Sequence, residues 1–324
     1  MKDKYNLNEQ VVSVIKNSIP PGSNMISELM ELLPIGREAI YRRLRGEVPF
    51  TFDEIAKVSL KMGFSLDAIV GVKNHERAVF DLNVLDLDNL NDDYCSRVNE
   101  YVEFFRKLRT QKNVRARFAF STLPYSFYLP FENLSRFRLY RWYYQVNKSQ
   151  SSISFSEIIM SEEAIQAHRN FILESRSIQR AVYILDREIF NSIIKDINYF
   201  FKLSLITVEE LELLKNELLE LISELETLAI SGVYKNGTKV ALYLANVDLE
   251  ASHSHFESET IGVSHLRVLA INGLDSQSSR ISDVQKEWID SLKRCSTLIT
   301  QSGEVDRFAF FRKQRTAVSL IGRD

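Results

Sequence analysis

The sequence predicts two parts of different fold class, an all-α N-terminal domain and a larger α+β domain that follows it. Five short segments with apolar residues at helical spacing, separated by turn residues, occupy residues 7 to 71. Long amphipathic stretches come next, and short alternating stretches typical of strands lie near the C-terminus. We therefore expect a compact five-helix unit and then a mainly helical α+β domain with a small antiparallel sheet.

Each of the five N-terminal helices is predicted from its apolar residues and from the residues at its ends. Pro20 follows the first helix and cannot continue it, because proline lacks the backbone N–H that a helix needs. Asn24 is a typical N-cap for the second helix, and Gly46 can end the third in a left-handed conformation. The predicted helices cover residues 7–18, 25–33, 37–45, 51–62 and 66–70.

The third helix is unusually basic. Residues 36 to 46 contain four arginines and one glutamate. Ile40 and Leu44 lie four residues apart, so both can face the inside of the bundle while the charged residues face outward. The turn before this helix is predicted at Pro34-Ile35-Gly36.

Residues 7 to 71 resemble the DNA-binding domain of the lambda-repressor and Cro-like regulators, the XRE-type helix-turn-helix family. Three stretches carry the resemblance: PIGREAIYRRLRG at residues 34–46, FDEIAKVS at 52–59 and MGFSLDAIVG at 62–71. They cover, with the helices between them, about a fifth of the chain. The family usually has Gly-Val-Ser at the turn, where this chain has Pro34-Ile35-Gly36, so the third helix lacks the usual hydroxyl cap.

The resemblance implies that the third helix is a recognition helix, which lies in the major groove of double-stranded DNA. By position in the family motif, Arg37, Glu38 and Arg42 are expected at base edges. An arginine can bond a guanine at two atoms, and a glutamate can accept a hydrogen bond from a cytosine amino group. These three residues are therefore the predicted determinants of sequence specificity.

The remaining candidates of the third helix are expected to position it. Tyr41 could contact a thymine methyl group or a phosphate, and Arg43 and Arg45 are predicted to contact phosphates, which set the register without reading sequence. The alternative is a solvated basic face on a helix of an unrelated bundle.

The charge of the whole chain restricts how it can bind nucleic acid. The formal net charge is -2, which argues against a protein that coats nucleic acid, so any DNA contact must come from a local patch.

The sequence has neither a run of 18 apolar residues nor an export signal, and we expect a cytoplasmic protein without a membrane span. Cys95 and Cys295 are predicted to be reduced, buried thiols.

An acidic segment separates the two predicted domains. Residues 81 to 93 contain five aspartates and no basic residue, with leucine and valine between them. This pattern fits a flexible linker or a strand that docks on the next domain, and we favour a partly ordered connector. The predicted divisions are a helix-turn-helix domain at 1–75, a connector at 76–93 and an effector or dimerisation domain at 94–324.

Residues 94 to 148 are rich in both basic and aromatic residues. Such a mixture can bind single-stranded nucleic acid by stacking. The favoured interpretation is a pair of amphipathic helices at 94–108 and 132–145, with the rings in the core and the basic residues in solvent. Two more helices are predicted at 162–176, after Ser161, and at 187–203, after Asp186.

A leucine repeat marks the strongest periodic signal outside the N-terminal domain. Thr207 and Glu210 form a capping box that begins this helix. Six leucines then recur at alternating spacings of three and four, which are the seam positions of a coiled coil. They are Leu211, Leu214, Leu218, Leu221, Leu225 and Leu228. The repeat predicts either a dimerisation helix or a helix packed inside its own domain.

The C-terminal region is predicted to contain strands and two further helices. Residues 230–235 and 238–246 are predicted to form a hairpin around Asn236-Gly237, a dipeptide that accepts the positive φ of a tight turn. Strands at 253–259 and 263–272 complete the predicted antiparallel sheet. Helices are expected at 279–300 and from about residue 303.

Histidines on these strands raise the question of a metal site. His253, His255 and His265 could approach one another, with Glu257 and Glu259 alongside. No cysteine ligand lies nearby, and we predict no metal. The sequence also lacks a phosphate loop, a dinucleotide fingerprint, a serine nucleophile elbow and a zinc-protease helix, so we expect neither an enzyme nor a cofactor.

These observations favour a one-component transcriptional regulator. Its N-terminal domain would read double-stranded DNA, and its larger domain would form a homodimer and respond to a small-molecule or protein effector. The alternative is a protein-interaction module, such as an antitoxin-like or phage-type factor whose C-terminal domain binds a partner protein. No catalytic residue is predicted in either case.

Overall fold

The computed structural model describes residues 7–18, 24–62, 64, 66, 69, 80–83, 90–147, 153–259, 261–268 and 273–323. The chain divides into two compact units, Met1–Val79 and Phe80–Asp324. No helix in these described ranges is long and apolar enough to cross a membrane. Both cysteines are free thiols, and Cys295 is exposed, in contrast to the expectation that it is buried.

The first unit contains four described helices packed around one apolar core. They are α1 (Leu7–Ser18), α2 (Met25–Leu32), α3 (Arg37–Leu44) and α4 (Phe52–Met62). The core is made of Val11, Val12, Ile15, Ile26, Leu29, Leu33, Ile40, Phe50, Val58 and Ile69. The fifth predicted helix, at residues 66–70, falls largely outside the described residues.

The described residues of the second unit form an eight-stranded mixed sheet. Its strands are β1 (Asp81–Asn83), β2 (Arg115–Phe120), β3 (Arg180–Leu185), β4 (Lys239–Ala245), β5 (His253–Glu257), β6 (Gly262–Arg267), β7 (Gly273–Ser276) and β8 (Ser296–Leu298). They lie in the order β1-β7-β6-β5-β2-β3-β4-β8. The central strands β2, β3 and β4 are parallel, and all the other pairs are antiparallel. The unit is therefore α+β as predicted, but the prediction of a small antiparallel sheet was wrong.

Helices connect the parallel strands and cover the sheet. In chain order they are α5 (Leu90–Arg109), α6 (Tyr125–Tyr128), α7 (Glu132–Val146), α8 (Glu162–Ser175), α9 (Asn191–Lys202), α10 (Val208–Ser231), α11 (Ser279–Arg294) and α12 (Glu304–Ser319). The segment from α6 to α8 joins β2 to β3, and α9 with α10 joins β3 to β4. Parallel neighbours need such long crossovers, because a tight turn cannot bring the chain back to the same end.

The two faces of the sheet bury different cores, since alternate side chains point to opposite faces. The face that carries Phe118 and Tyr183 contributes to a large core with most of the helices, including Leu218 of α10. The opposite face packs Ala119, Ile184 and Ala245 against Ile289 and Leu292 of α11. The sheet is thus covered on both faces, as is usual for parallel strands.

The first strand of the predicted hairpin around Asn236-Gly237, at residues 230–235, is wrong. Residues up to Ser231 belong to α10, which ends at Gly232 with a φ of 70°. Only an isolated bridge between Val233 and Lys239 remains of the hairpin pairing. Strand β4 instead pairs in parallel with β3.

The acidic segment contributes a strand to the second unit. Asp81–Asn83 forms β1, which pairs antiparallel with β7 at one edge of the sheet. The helix α5 already begins at Leu90. Residues 84–89 lie outside the described part of the chain. Of the two alternatives for this segment, the described residues show the docked strand.

Candidate DNA-binding helix and the other predicted sites

The helix α3 is held in the first unit by its apolar side. Ile40 is fully buried, and Leu44 packs against the same core. The turn before the helix is fixed by the backbone N–H of Ile35, which donates to the Leu33 carbonyl at 2.7 Å. Gly36 is the N-cap and makes no side-chain capping bond. The backbone N–H groups of the first turn of α3 therefore have no N-cap side chain to which they can donate a hydrogen bond.

The N-terminal part of α3 presents polar side chains to the surface. Arg37, Glu38 and Arg42 are exposed, and Tyr41 is half-buried. The Arg37 guanidinium lies 5.9 Å from the centroid of the Tyr41 ring. The three residues predicted to meet base edges are therefore all accessible on one short helix.

An acidic residue lies among the arginines of this surface. Arg45 Nε is 2.7 Å from Glu47 Oε1, and Arg42 Nε is 3.7 Å from Glu47 Oε2. Arg45 also reaches Glu38 at 3.4 Å. The hydrogen bond that Arg45 donates to Glu47 is the main reason that the pKa of Arg45 is raised. Exposed pairs of this kind are weak and salt-screened, so Arg42 and Arg45 can exchange Glu47 for another anion.

Arg43 has a different role from its neighbours. Its guanidinium forms two hydrogen bonds of 2.8 Å with the carboxylate of Glu54, and both side chains are nearly buried, 13% and 11% exposed. It also donates to the Ala39 carbonyl at 3.3 Å. Arg43 therefore ties α3 to α4, and this geometry does not fit the phosphate contact predicted for it.

Glu54 also forms the N-terminal cap of α4. Its carboxylate accepts from the Thr51 backbone N–H at 2.8 Å, and Thr51 Oγ1 accepts from the Glu54 N–H at 3.3 Å. Burial raises the pKa of Glu54, but the bonds from Arg43 and Thr51 outweigh it and the net pKa is lowered. This role was not predicted, although Thr51 and Glu54 have the spacing of a capping box in the sequence.

The predicted dimerisation leucines lie inside their own domain. Leu211, Leu214, Leu218, Leu221, Leu225 and Leu228 are all buried, none more than 7% exposed. They belong to the main core of the second unit, together with the helices and strands around α10. A side chain buried in one chain cannot also pack against a second copy. The dimer-interface assignment for these residues is therefore corrected to internal core.

The histidines that were considered as metal ligands do not come together. His255 pairs with Ser264 across the strands and Ser254 pairs with His265, so His255 and His265 point to opposite faces of the sheet. The His255 ring is bonded to Ser282 at 2.8 Å, and His265 to Asp275 at 2.5 Å. Among the residues that the structure describes, no group of three or more His, Cys, Asp or Glu could hold a metal ion.

Most aromatic side chains between residues 94 and 147 are buried in the hydrophobic cores. Phe118 stacks on Tyr183 with ring centroids 4.5 Å apart, and Trp142 is buried. Arg117, on the other face of β2, is engaged with Glu257 at 2.8 Å. Rings packed in this way are not available to stack on the bases of a single strand.

Comparisons with known proteins return nothing for this chain. No family model, no curated protein and no solved structure matches it.

Proposed function

We propose that this chain is a sequence-specific transcriptional regulator that reads double-stranded DNA with α3. The observation that carries the proposal is the exposed row of Arg37, Glu38 and Arg42 on a short helix whose apolar side is fixed in the core. A recognition helix needs both properties, because base-edge hydrogen bonds require accessible side chains on a rigid support.

The side chains of α3 and its C-terminal end divide into three roles in this proposal. Arg37, Glu38 and Arg42 contact base edges and determine specificity. Tyr41 contacts a thymine methyl group or a phosphate, and Arg45 contacts a phosphate. Arg43 holds the helix in place through Glu54 and is not assigned to DNA.

A homodimer is part of the same proposal. One short helix reads only a few base pairs, and regulators of this architecture gain specificity by placing two such helices on half-sites about one helical turn apart. Because the leucine repeat is internal, the dimer must use another surface. The second unit is proposed to carry that surface and the response to an effector.

Selection of bound sequences from a random duplex pool by the full-length protein tests the proposal. We expect one sequence family to be enriched, in two inverted half-sites, and Arg37→Ala to lose preference at one base position. Lys16→Ala, which removes an exposed charge from α1, is the matched control and should keep the selected sequence. A pool that shows no enrichment would exclude sequence-specific reading.

Salt distinguishes this function from the alternative, a module that binds a partner protein. Contacts to DNA phosphates release counterions, so DNA affinity must fall steeply as salt rises. A protein partner that stays bound at high salt, with no salt-sensitive DNA binding, would favour the alternative.

A further inference from the structure

A polar cavity of about 290 Å³ lies at the carboxyl end of β2 in the second unit. Its walls come from the loop after β2, from α7, from the first turn of α9, and from residues next to β5 and β6. In sheets with parallel strands, ligands commonly bind outside the carboxyl ends of the strands. The position alone therefore makes this cavity a candidate binding site.

Three arginines line the cavity, with Glu250 as the one acidic residue among the described residues of its wall. Arg138 and Arg141 come from successive turns of α7, and Arg267 comes from the end of β6. Arg141 is ion-paired with Asp196. Arg267 bonds two neutral oxygens, the Leu123 carbonyl at 2.9 Å and Ser252 Oγ at 3.4 Å.

Arg138 is buried, and Arg141 and Arg267 are half-buried. Arg138 is stacked on aromatic rings, with its guanidinium carbon 4.0 Å from the centroid of Tyr125 and 5.3 Å from that of Tyr128. Burial, and then repulsion from Arg138, lowers the pKa of Arg267 to about 10. At neutral pH the guanidinium is still protonated, so the cavity concentrates positive charge that a bound anion would balance.

Neutral donors complete the wall. The Tyr128 hydroxyl is buried and has no hydrogen-bond partner among the residues that the structure describes. Burial raises its pKa, so it remains a donor. The hydroxyls of Ser121 and Ser252 lie 3.1 Å apart at the same cavity. The first turn of α9 lines it with Ser192, and helix N-termini favour anions.

A second cavity, of about 310 Å³, shares Arg267 and Ser252 with the first. It lies between α5 and the sheet, and its wall is mainly apolar, with the aromatic residues Phe104, Phe118 and Phe256 among those that line it. A polar cavity next to an apolar one fits a molecule that has a charged group and an apolar body.

The geometry points to a binding site for a small organic anion, whose phosphate or carboxylate group contacts Arg138, Arg141, Arg267 and the Tyr128 hydroxyl, and whose apolar body enters the aromatic cavity. Guanidinium groups bind both kinds of oxyanion through paired, charge-assisted hydrogen bonds. The inference concerns the second unit alone and does not depend on DNA reading.

Calorimetric titration of the full-length protein, together with its Tm, tests the site with four compounds: inorganic phosphate, phenyl phosphate, benzoate and benzyl alcohol. We expect saturable binding of the three anions and none of the uncharged alcohol. Phenyl phosphate should bind more tightly than inorganic phosphate, because its ring leaves water for the aromatic cavity. Equal affinities of these two would overturn the assignment of the apolar body. No saturable binding of any anion would overturn the site.

Two variants separate binding from folding. Tyr128→Phe removes a hydroxyl that bonds no described residue, so Tm without ligand should stay the same or rise, whereas anion affinity should fall about tenfold. Arg267→Gln should abolish binding. Tyr140→Phe is the matched control, because the Tyr140 hydroxyl bonds the Ile153 carbonyl and should not affect the anion. Wild-type affinity in both Tyr128→Phe and Arg267→Gln would overturn the inference.

Discussion

At the scale of single residues, four arginines within nine positions have different environments. Arg37 and Arg42 are exposed, Arg43 is nearly buried on Glu54, and Arg45 is paired with Glu47 at the surface. The sequence predicts their basic character, but not which of them contacts a carboxylate of the same chain. That depends on the position of Glu54 in α4 and of Glu47 after α3, which only the folded backbone defines.

Arg37→Ala and Arg45→Ala should weaken DNA binding in different ways. Loss of a base contact at Arg37 should cost about 1 to 3 kcal/mol on the selected sequence and relax one base position. Loss of a phosphate contact at Arg45 should weaken binding to all sequences alike. It should also reduce the slope of log affinity against log salt concentration by about one. Equilibrium titrations on selected and scrambled duplexes measure both effects. If Arg37→Ala kept affinity and base preference, the proposed register of α3 would be incorrect.

Glu47→Gln should strengthen DNA binding. The substitution removes a carboxylate that competes with phosphate for Arg42 and Arg45, and exposed pairs of this strength correspond to about a two- to fivefold change in affinity. The gain should shrink as salt is raised, because the competing pair is screened. Glu31→Gln, an exposed glutamate of α2, makes the same change in net charge and should have a smaller effect. Identical gains from both variants would point to net charge rather than to this pair.

At the scale of elements, the sequence predicts most of the helices but not the centre of the sheet. The beginning of α10 follows from its capping box, which the sequence predicts, whereas its end at Gly232 was not predicted, because residues 230–235 were assigned to a strand. The strands β2 and β3 were missed because they are buried on both faces and end in continuous apolar runs, at 118–120 and 181–185, which periodicity alone does not assign to a strand. Without them the parallel pairing cannot be foreseen, and neither can the cavity at the end of β2.

The contact between α3 and α4 should depend on pH through Glu54. Its pKa is lowered in the folded state, so the stabilisation is complete above the ordinary pKa of a glutamate and is lost as pH falls through the lower, folded value. Glu54→Gln should remove this dependence and destabilise the first unit by about 1 to 3 kcal/mol at neutral pH. Hydrogen exchange of the amides of α3 and α4 in the full-length protein measures the change.

Glu47→Gln provides the comparison for that experiment. The Glu47 carboxylate pairs with arginines at the surface, so its loss should destabilise the first unit by less than about 1 kcal/mol. Equal protection of α3 in the wild type and in Glu54→Gln would show that the Arg43 pair does not hold the helix.

At the scale of the whole molecule, the proposed function requires a homodimer, whose interface is proposed to lie in the second unit. Light scattering of the full-length protein at micromolar concentration should give a dimer. Leu218→Ala should lower the free energy of unfolding by about 2 to 5 kcal/mol, because Leu218 is fully buried in its own domain, without changing the number of subunits. A monomeric wild type would remove the dimer from the proposal. A monomeric but stable Leu218→Ala variant would restore the leucine repeat as an interface.

The two edges of the sheet have a consequence for how copies of this protein meet in solution. Among the described residues, both outer strands, β1 and β8, have three residues, although the strands between them have up to seven. A short outer strand offers few unpaired backbone groups to a neighbouring molecule, and proteins use this device against fibre-like aggregation. Two copies are therefore poorly suited to join their sheets into one continuous ribbon. Concentrated solutions should accordingly stay free of β-rich aggregates.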